Sequence, residues 1–190
     1  MTLDRQRIVA EAVALLDAEG FDGVTTRKLA ARLGVQSPTL YWHVPNKAAL
    51  VTAIAEAILE QEFPEMTPPE PRERWEDWLA VLAGRLRRAL LAHPDGARVI
   101  SAAQLSLKMA AISELAMSTL VARGISLRQA RMIVLTVERF TIGYVLEEQA
   151  PRPDLEAAKD FEPGRTVDDL FRDCLELVIE GAAAMVARPS

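Results

Sequence analysis

The sequence predicts an all-α protein made of a three-helix head and a larger helical domain. Half of its 190 residues are hydrophobic, only 5% are aromatic and 26% are charged, which is typical of a helical globular chain and not of a disordered one. Apolar residues recur at spacings of three and four along most of the chain. No segment alternates between polar and apolar residues as a half-exposed strand would. Together these three observations favour helices throughout.

Three helices are predicted at the N-terminus, the second and third of them short, and each has recognisable end signals. Gly20 and Gly34 end the first two, because glycine tolerates the left-handed backbone that commonly follows a helix. Thr25 and Ser37 are the predicted caps of the second and third, where a hydroxyl accepts a hydrogen bond from a free backbone N–H. Pro38 fits the first helical position because its missing N–H costs nothing there. The predicted helices span residues 3–19, 26–33 and 38 to about 43.

A connecting helix and a linker follow the head. Asn46 is the predicted cap of a helix that ends near Gln61, and residues 62–73 hold four prolines interleaved with charges, as expected for a linker. Beyond it we predict five helices, over residues 74–92, 96 to about 105, 107–122, 127 to about 149 and 166–186, with a polar loop over 151–165. The predicted domains are therefore residues 1–46, the connecting helix 47–61, the linker 62–73 and a larger domain over 74–190.

Several classes of protein are disfavoured by what the chain lacks. No apolar stretch reaches the roughly 20 residues needed to cross a bilayer, and the N-terminus has no signal-peptide pattern, so we expect a cytoplasmic protein with no membrane partner. Cys174 is the single cysteine and is expected to be a small buried side chain. The sequence has no Gly-rich phosphate loop, HExxH motif or cysteine pair. An enzyme is the disfavoured alternative, and we expect no cofactor and no metal.

Charge is distributed unevenly along the chain. The net charge is −5, which on its own argues against a nucleic-acid partner. Residues 1–47, however, hold six Lys and Arg against five Asp and Glu, whereas the remainder holds sixteen against twenty-two. Only the N-terminal quarter is therefore suited to a phosphate backbone.

The most informative segment is TTRKLAARLGVQSPTLYWHVPNKAAL, residues 25–50. It has the layout of a helix-turn-helix, two short helices joined by a tight turn at Gly34. It resembles the DNA-binding head of the tetracycline-repressor family, through TTRKLA, LGV, PTLYWHV and NK. The later segments RRALL, DGARV, RGISL and FTIGYVLE are similar to core helices of that family. The resemblance implies a homodimeric bacterial transcriptional repressor that binds double-stranded operator DNA.

Candidate DNA-reading residues lie at the start of the recognition helix. Ser37, Pro38 and Thr39 are short or flat side chains, which a recognition helix needs in order to approach base edges. The resemblance implies that Pro38 and Thr39 contact a thymine methyl and that Arg27 pairs with guanine. The resemblance also implies that a second group contacts phosphate or supports the helix: Thr26, Tyr41, Trp42, His43 and Lys47. The predicted interface further includes Lys28 and Gln36. Core packing of Tyr41 and Trp42 remains open at this point.

Position 37 departs from the pattern of the tetracycline-binding family members, which have an adenine-reading glutamine there. Serine is shorter and bonds to purine or pyrimidine, so we expect a related operator with altered specificity at that base pair.

The ligand-binding positions depart further. Where tetracycline-binding members have drug-binding His, Asn and Phe, this chain has Phe63, Leu82 and Leu86, and the metal-binding His becomes Ile100. A single carboxylate with no histidine imidazole beside it cannot form a magnesium–tetracycline site. Tetracycline is therefore not expected to be the effector. Gln104 and Glu147 are candidate polar anchors of an otherwise apolar effector site. Its full predicted lining is Phe63, Trp78, Leu82, Leu86, Ile100, Gln104, Met109, Ser113, Met117, Val134 and Glu147; plain core packing is the alternative for each aliphatic member.

The resemblance also implies a mechanism. The last two long helices of each subunit form a four-helix bundle in the homodimer, and a small hydrophobic or amphipathic effector moves the connecting helix so that the heads release DNA. A DNA-binding regulator controlled by a protein partner, or by nothing, is the alternative, because no residue specifies the effector's chemistry.

Overall fold

The structure is a computed structural model that describes residues 4–103, 106–150 and 165–187. Within these residues the chain forms nine α-helices and no strand, as the sequence predicts. The helices are α1 (Arg5–Gly23), α2 (Thr26–Leu33), α3 (Ser37–Tyr41), α4 (Lys47–Glu62), α5 (Trp75–Leu91), α6 (Gly96–Ala102), α7 (Leu107–Ala122), α8 (Leu127–Gln149) and α9 (Val167–Val186).

Glycine sets the boundaries of the head helices where the sequence places them. Gly20 breaks α1 with φ +68°, and a further short turn carries the helix to Gly23. Gly34 ends α2 in the left-handed region, at φ 68° and ψ 28°, where a side chain would be strained. The N-terminus of α3 lies one residue earlier than predicted: Ser37 is already helical, and Gln36 holds the cap position without a side-chain cap hydrogen bond. The prediction of Ser37 as a cap is therefore wrong.

The cap of α4 matches the prediction, and side chains cap α8 and α9 in the same way. The Asn46 side chain accepts a hydrogen bond from the Ala49 N–H at 2.8 Å and opens α4, and Ser126 opens α8. Thr166 opens α9 with a reciprocal capping box to Asp169. The backbone N–H of Thr166 donates to this carboxylate and holds the pKa of Asp169 below its usual value.

The chain divides into two compact units. Unit 1 comprises Met1–Met66 and Arg85–Ile112, and unit 2 comprises Thr67–Gly84 and Ser113–Ser190. In unit 1, α4 packs on α1 and α6, over a core that includes the fully buried Ile8, Leu16, Leu50 and Ile58. In unit 2, α8 packs along α9. The domain boundaries drawn from the sequence remain a prediction.

An aromatic cluster joins α8 to α9 inside unit 2. Phe140 stacks on Phe171 with ring centroids 5.6 Å apart, and Tyr144 meets Phe171 edge-on at 5.2 Å. Cys174 on α9 is half-buried, more exposed than the buried residue that the sequence predicts.

Phe63, the second residue of the predicted linker, belongs to the core. Phe63 follows the last residue of α4 and is fully buried. Burial of this side chain stabilises the folded state by about 1.5–3 kcal/mol. The Arg85 guanidinium lies over its ring at 4.5 Å, and Arg85 Nε donates to the Glu62 carbonyl oxygen at 2.9 Å. This arginine therefore satisfies a free carbonyl at the end of α4 and covers the ring beside it.

None of the described helices is by itself long and apolar enough to span a membrane. The bent pair α6 and α7, with an angle of 86° between them, meets the length and composition requirement only jointly.

Candidate functional site

The α2–α3 pair presents its predicted base readers to solvent. Leu29, Leu33 and Leu40 are buried and anchor the two helices from below. Arg27, on the first turn of α2, is exposed and makes no ion pair with any residue that the structure describes. The other three predicted readers occupy the first residues of α3, where Pro38 and Thr39 are exposed and Ser37 is half-buried. The arrangement leaves the start of the recognition helix free to approach a DNA groove.

Both aromatic residues at the end of α3 lie at the surface. Trp42 is 90% exposed and Tyr41 is 47% exposed, which excludes core packing for Trp42 within unit 1. The Tyr41 hydroxyl lies 3.4 Å from the Thr26 hydroxyl and so links the recognition helix to the start of α2. These hydroxyls, with the exposed His43, are hydrogen-bonding groups suited to phosphate oxygens.

Lys47 and Lys28, two lysines predicted to contact DNA, have different surroundings. Lys47 is the first residue of α4, exposed, with its ammonium 5.3 Å from the centre of the Phe21 ring. The helix N-terminus adds partial positive charge beside it, so this end of α4 favours an anion. The Lys28 Nζ instead pairs with the Glu19 carboxylate on α1. Gln36, the remaining predicted contact, is exposed at the cap position of α3.

Unit 1 also ties the end of α1 to the start of α6. Asp95, at φ 58°, accepts the Phe21 N–H through Oδ2 at 2.9 Å. Arg98 bridges Asp22 and Asp95, with its Nη2 at 3.0 Å from Asp22 Oδ1, and its guanidinium stacks 4.8 Å from the Phe21 ring centre. The hydrogen bond from Arg98 lowers the pKa of Asp22. Asp95 and Arg98 thus connect the start of α6 to the end of α1.

A buried histidine strengthens this connection. His93 precedes α6 and is 7% exposed. Its Nδ1 donates to Asp17 Oδ1 on α1 at 2.7 Å, and its Nε2 lies 3.3 Å from the Gln61 amide nitrogen on α4. No sequence pattern indicates this role of His93, because the three residues are far apart in the chain.

The predicted effector residues are distributed over both units. Phe63, Leu86 and Ile100 are buried and Met109 is half-buried in unit 1. In unit 2 Trp78, Leu82 and Val134 are buried, Ser113 and Met117 are half-buried, and Glu147 is exposed. Gln104 lies outside the described residues. The aliphatic members are as buried as core residues, so burial alone does not distinguish a ligand wall from packing.

Unit 2 contains a carboxylate that the sequence analysis missed. The Ser113 hydroxyl on α7 donates to Glu138 Oε1 on α8. Burial raises the pKa of Glu138, and the hydrogen bond from Ser113 offsets part of that effect. The signal in the sequence was its position one turn after Val134, on the inward face of α8.

The described residues contain no cluster of three His, Cys, Asp or Glu side chains able to hold a metal ion.

Comparison with known proteins identifies the family. A model described as "Tetracyclin repressor-like, C-terminal domain" matches residues 67–165, just over half of the chain, and one described as "Bacterial regulatory proteins, tetR family" matches residues 8–54. The chain belongs to the TetR family. Members of the TetR family are transcriptional regulators and not enzymes; they bind operator DNA as homodimers, are typically repressors and have a ligand-binding C-terminal domain.

Individual relatives cover nearly the whole chain. Tetracycline repressor protein class D of Escherichia coli is 37% identical over 93% of this chain and 80% of its own length. The TetR Q116A variant from Acinetobacter baumannii AYE, in complex with minocycline, is 35% identical, with a TM-score of 0.82 over 98% of this chain and 100% of that one. BioQ with its double-stranded DNA operator is 30% identical, with a TM-score of 0.77 over 96% and 99%.

Proposed function

We propose that this TetR-family protein is a ligand-responsive repressor that binds a palindromic operator as a homodimer and is released by a small hydrophobic or amphipathic effector. The observation that carries the proposal is the exposure of both Arg27 on α2 and the start of α3, at the surface of a head that belongs to a DNA-binding family. Phosphate contacts from Thr26, Tyr41, Trp42, His43 and Lys47 would fix the register of the head without specifying sequence.

Release is proposed to pass through α6. This helix packs on α4 and is tied to α1 by Asp95 and Arg98, while His93 binds both α1 and α4. An effector that prefers one position of α6 would therefore favour one position of the head. Only a difference in effector affinity between the DNA-binding and released states can shift that equilibrium.

The effector is proposed to need no magnesium. The imidazole and amide positions of a magnesium–tetracycline site are occupied by Phe63, Leu82 and Ile100, which are all buried apolar side chains. Apolar surface of this kind favours an apolar ligand by roughly 25 cal/mol per Å² before the costs of association. Tetracycline with magnesium should accordingly leave the operator complex intact.

Selection from random DNA duplexes tests the proposal, followed by titration of the selected complex. Enrichment should return a two-fold symmetric sequence, since a dimer places two recognition helices in successive major grooves. Hydrophobic ligands should release that DNA in the presence of EDTA. Enrichment without two-fold symmetry would reject the operator assignment, and release by micromolar tetracycline only with magnesium would reject the effector assignment. If no hydrophobic compound acts, control by a protein partner becomes the better account.

A further inference from the structure

Unit 2 contains an acidic side chain in an apolar position. Glu138 lies on α8 between Val134, four residues earlier, and Thr141, three residues later, and both of these flanking residues are buried. Residues at these spacings share one face of a helix. The side chain is therefore directed toward the inside of unit 2 and is itself only partly exposed.

The carboxylate is held in place from the facing side by α7. Ser113 donates its hydroxyl to Oε1, which fixes the orientation of the group between the two helices. Met117, one turn beyond Ser113, is half-buried and adds a flexible apolar side chain to the same stretch of α7. The result is a fixed negative group with apolar neighbours.

No cation in the described part of the chain neutralises this group. No lysine or arginine there forms an ion pair with Glu138, and the adjacent Arg139 is exposed and acts only at a distance. Burial raises the pKa of Glu138 above its ordinary value of 4.5. A carboxylate that loses hydration without gaining a cation is costly to the protein, and a positively charged ligand would remove that cost.

We propose that Glu138, oriented by Ser113, is the counter-charge for a cationic group on the effector, which is therefore a hydrophobic cation. This inference rests on the proposed function and specifies the ligand class of its effector domain. Ser113, Met117 and Val134 are already among the effector residues expected from the sequence, and Glu138 supplies the charge that this set lacks in unit 2's interior.

Glu147 is the natural competitor for the same role. It lies in the last turn of α8 and is exposed, so water and salt screen its attraction for a ligand. The attraction between unit charges 4 Å apart is about fourfold stronger at an effective dielectric constant of 20 than in bulk water. The partly buried Glu138 is thus the better anchor, and Glu147 provides a matched control on the same helix.

The test compares each hydrophobic cation with a neutral analogue of similar shape. Tetraphenylphosphonium is paired with triphenylphosphine oxide, and decyltrimethylammonium with decanol. Operator release and the rise in melting temperature are measured for the wild type, Glu138→Gln and Glu147→Gln. In the wild type and Glu147→Gln, at least one cation should act at a concentration ten or more times lower than its neutral analogue. Glu138→Gln should lose that preference while its response to the neutral compounds stays within about twofold.

A ligand-free measurement separates a ligand-binding role from a structural one. Since folding raises the pKa of Glu138, its carboxyl stabilises the folded state less as the pH rises above 4.5. Glu138→Gln should therefore melt at a higher temperature than the wild type at pH 7, and the difference should shrink as the pH falls toward 4.5. A purely structural Ser113–Glu138 hydrogen bond would give the reverse at pH 7.

Two results would overturn the inference. One is that no cation outperforms its neutral analogue in the wild type, and the other is that Glu138→Gln keeps the preference for the cation. In both cases symmetric operator binding and release by neutral compounds would leave the proposed function standing, whereas loss of operator binding by the wild type would reject the proposed function itself.

Discussion

Individual side chains of the head differ in the information that they can take from DNA. Arg27 has a planar fork of donors, which matches the two acceptors on the major-groove edge of guanine. Lys47 is a compact charge at the start of α4 and suits any phosphate. Both side chains are exposed, so a substitution at either position leaves the core intact.

Substituting these two residues should therefore weaken DNA binding in different ways. Arg27→Ala should cost about 1–3 kcal/mol and relax specificity at one base pair of each half-site. Lys47→Ala should weaken binding to all sequences and reduce the slope of log affinity against log salt by about one. Salt-dependent binding to the selected operator and to scrambled DNA measures both effects. Equal losses on the two DNAs for Arg27→Ala would assign this residue to phosphate.

Ser37 should determine preference at one position of the operator. Its side chain is half-buried at the first residue of α3, next to the exposed Pro38 and Thr39. Ser37→Gln adds an amide that can pair with N6 and N7 of adenine, so the preference at one base pair per half-site should shift toward adenine. Repeating the duplex selection with this variant checks the change, with Ser37→Ala as the control that shortens the side chain. An unaltered profile would mean that residue 37 does not face the groove.

At the level of the helices, the sequence predicted best those boundaries that depend on interactions between residues close together in the chain. Asn46 was predicted as a cap because its side chain can accept a hydrogen bond from the backbone N–H three residues ahead. It does so, as do Ser126 and Thr166 at the starts of α8 and α9. The predicted start of α3 was one residue too late, because Ser37 is a favourable cap residue but the helix begins at Ser37 with Gln36 in the cap position.

The features that the sequence did not reveal depend on contacts between distant residues. Phe63 lies in a proline-rich stretch that predicts a linker, and its contact with the Arg85 guanidinium, far along the chain, is not visible in the sequence. Glu138 looks like one more charge on a long helix until Ser113 is placed opposite it. The spacing from Val134 places Glu138 on the inward face of α8, but periodicity does not show which residue of another helix lies opposite, so the sequence predicts the helices and not these pairs.

The start of α6 offers a test of helix packing. A Cβ at Gly96 would lie 2.2 Å from the backbone carbonyl oxygen of Leu90, which cannot turn aside as a flexible side chain would. Gly143, within α8, has open space at the corresponding point. Gly96→Ala should thus lower the free energy of unfolding by about 1–3 kcal/mol, whereas Gly143→Ala should raise it by about 0.5–1 kcal/mol. Urea denaturation measures both changes, provided that the dependence of the unfolding free energy on urea concentration is the same in each variant. A stabilising Gly96→Ala would contradict the close approach of the end of α5 to the start of α6.

At the scale of the whole molecule, the helices α8 and α9 expose an apolar surface, and the proposed dimer would cover it. Leu177 on α9 is 72% exposed and Met132 on α8 is 46% exposed, although both helices are packed against each other. A cavity of about 190 Å³ lies between α8 and α9. It is lined by Met132, Ile133, Thr136, Val137, Val178, Gly181, Ala182 and Met185. Surfaces of this composition are typical of subunit contacts. A second copy of α8 and α9 would complete the four-helix bundle expected of the homodimer.

Gly181 is the position at which that contact can be blocked without disturbing the subunit. A Cβ there meets no atom within 4 Å, so the backbone of α9 accepts a side chain at this position, and Gly181→Glu places a charge in the apolar seam. We expect the variant to retain its helical circular dichroism, to have the mass of a monomer by light scattering, and to bind the palindrome at least 10²-fold more weakly, since the two half-sites no longer act together. Gly181→Ala should remain a dimer. A dimeric Gly181→Glu with normal operator affinity would place the subunit contact on another face.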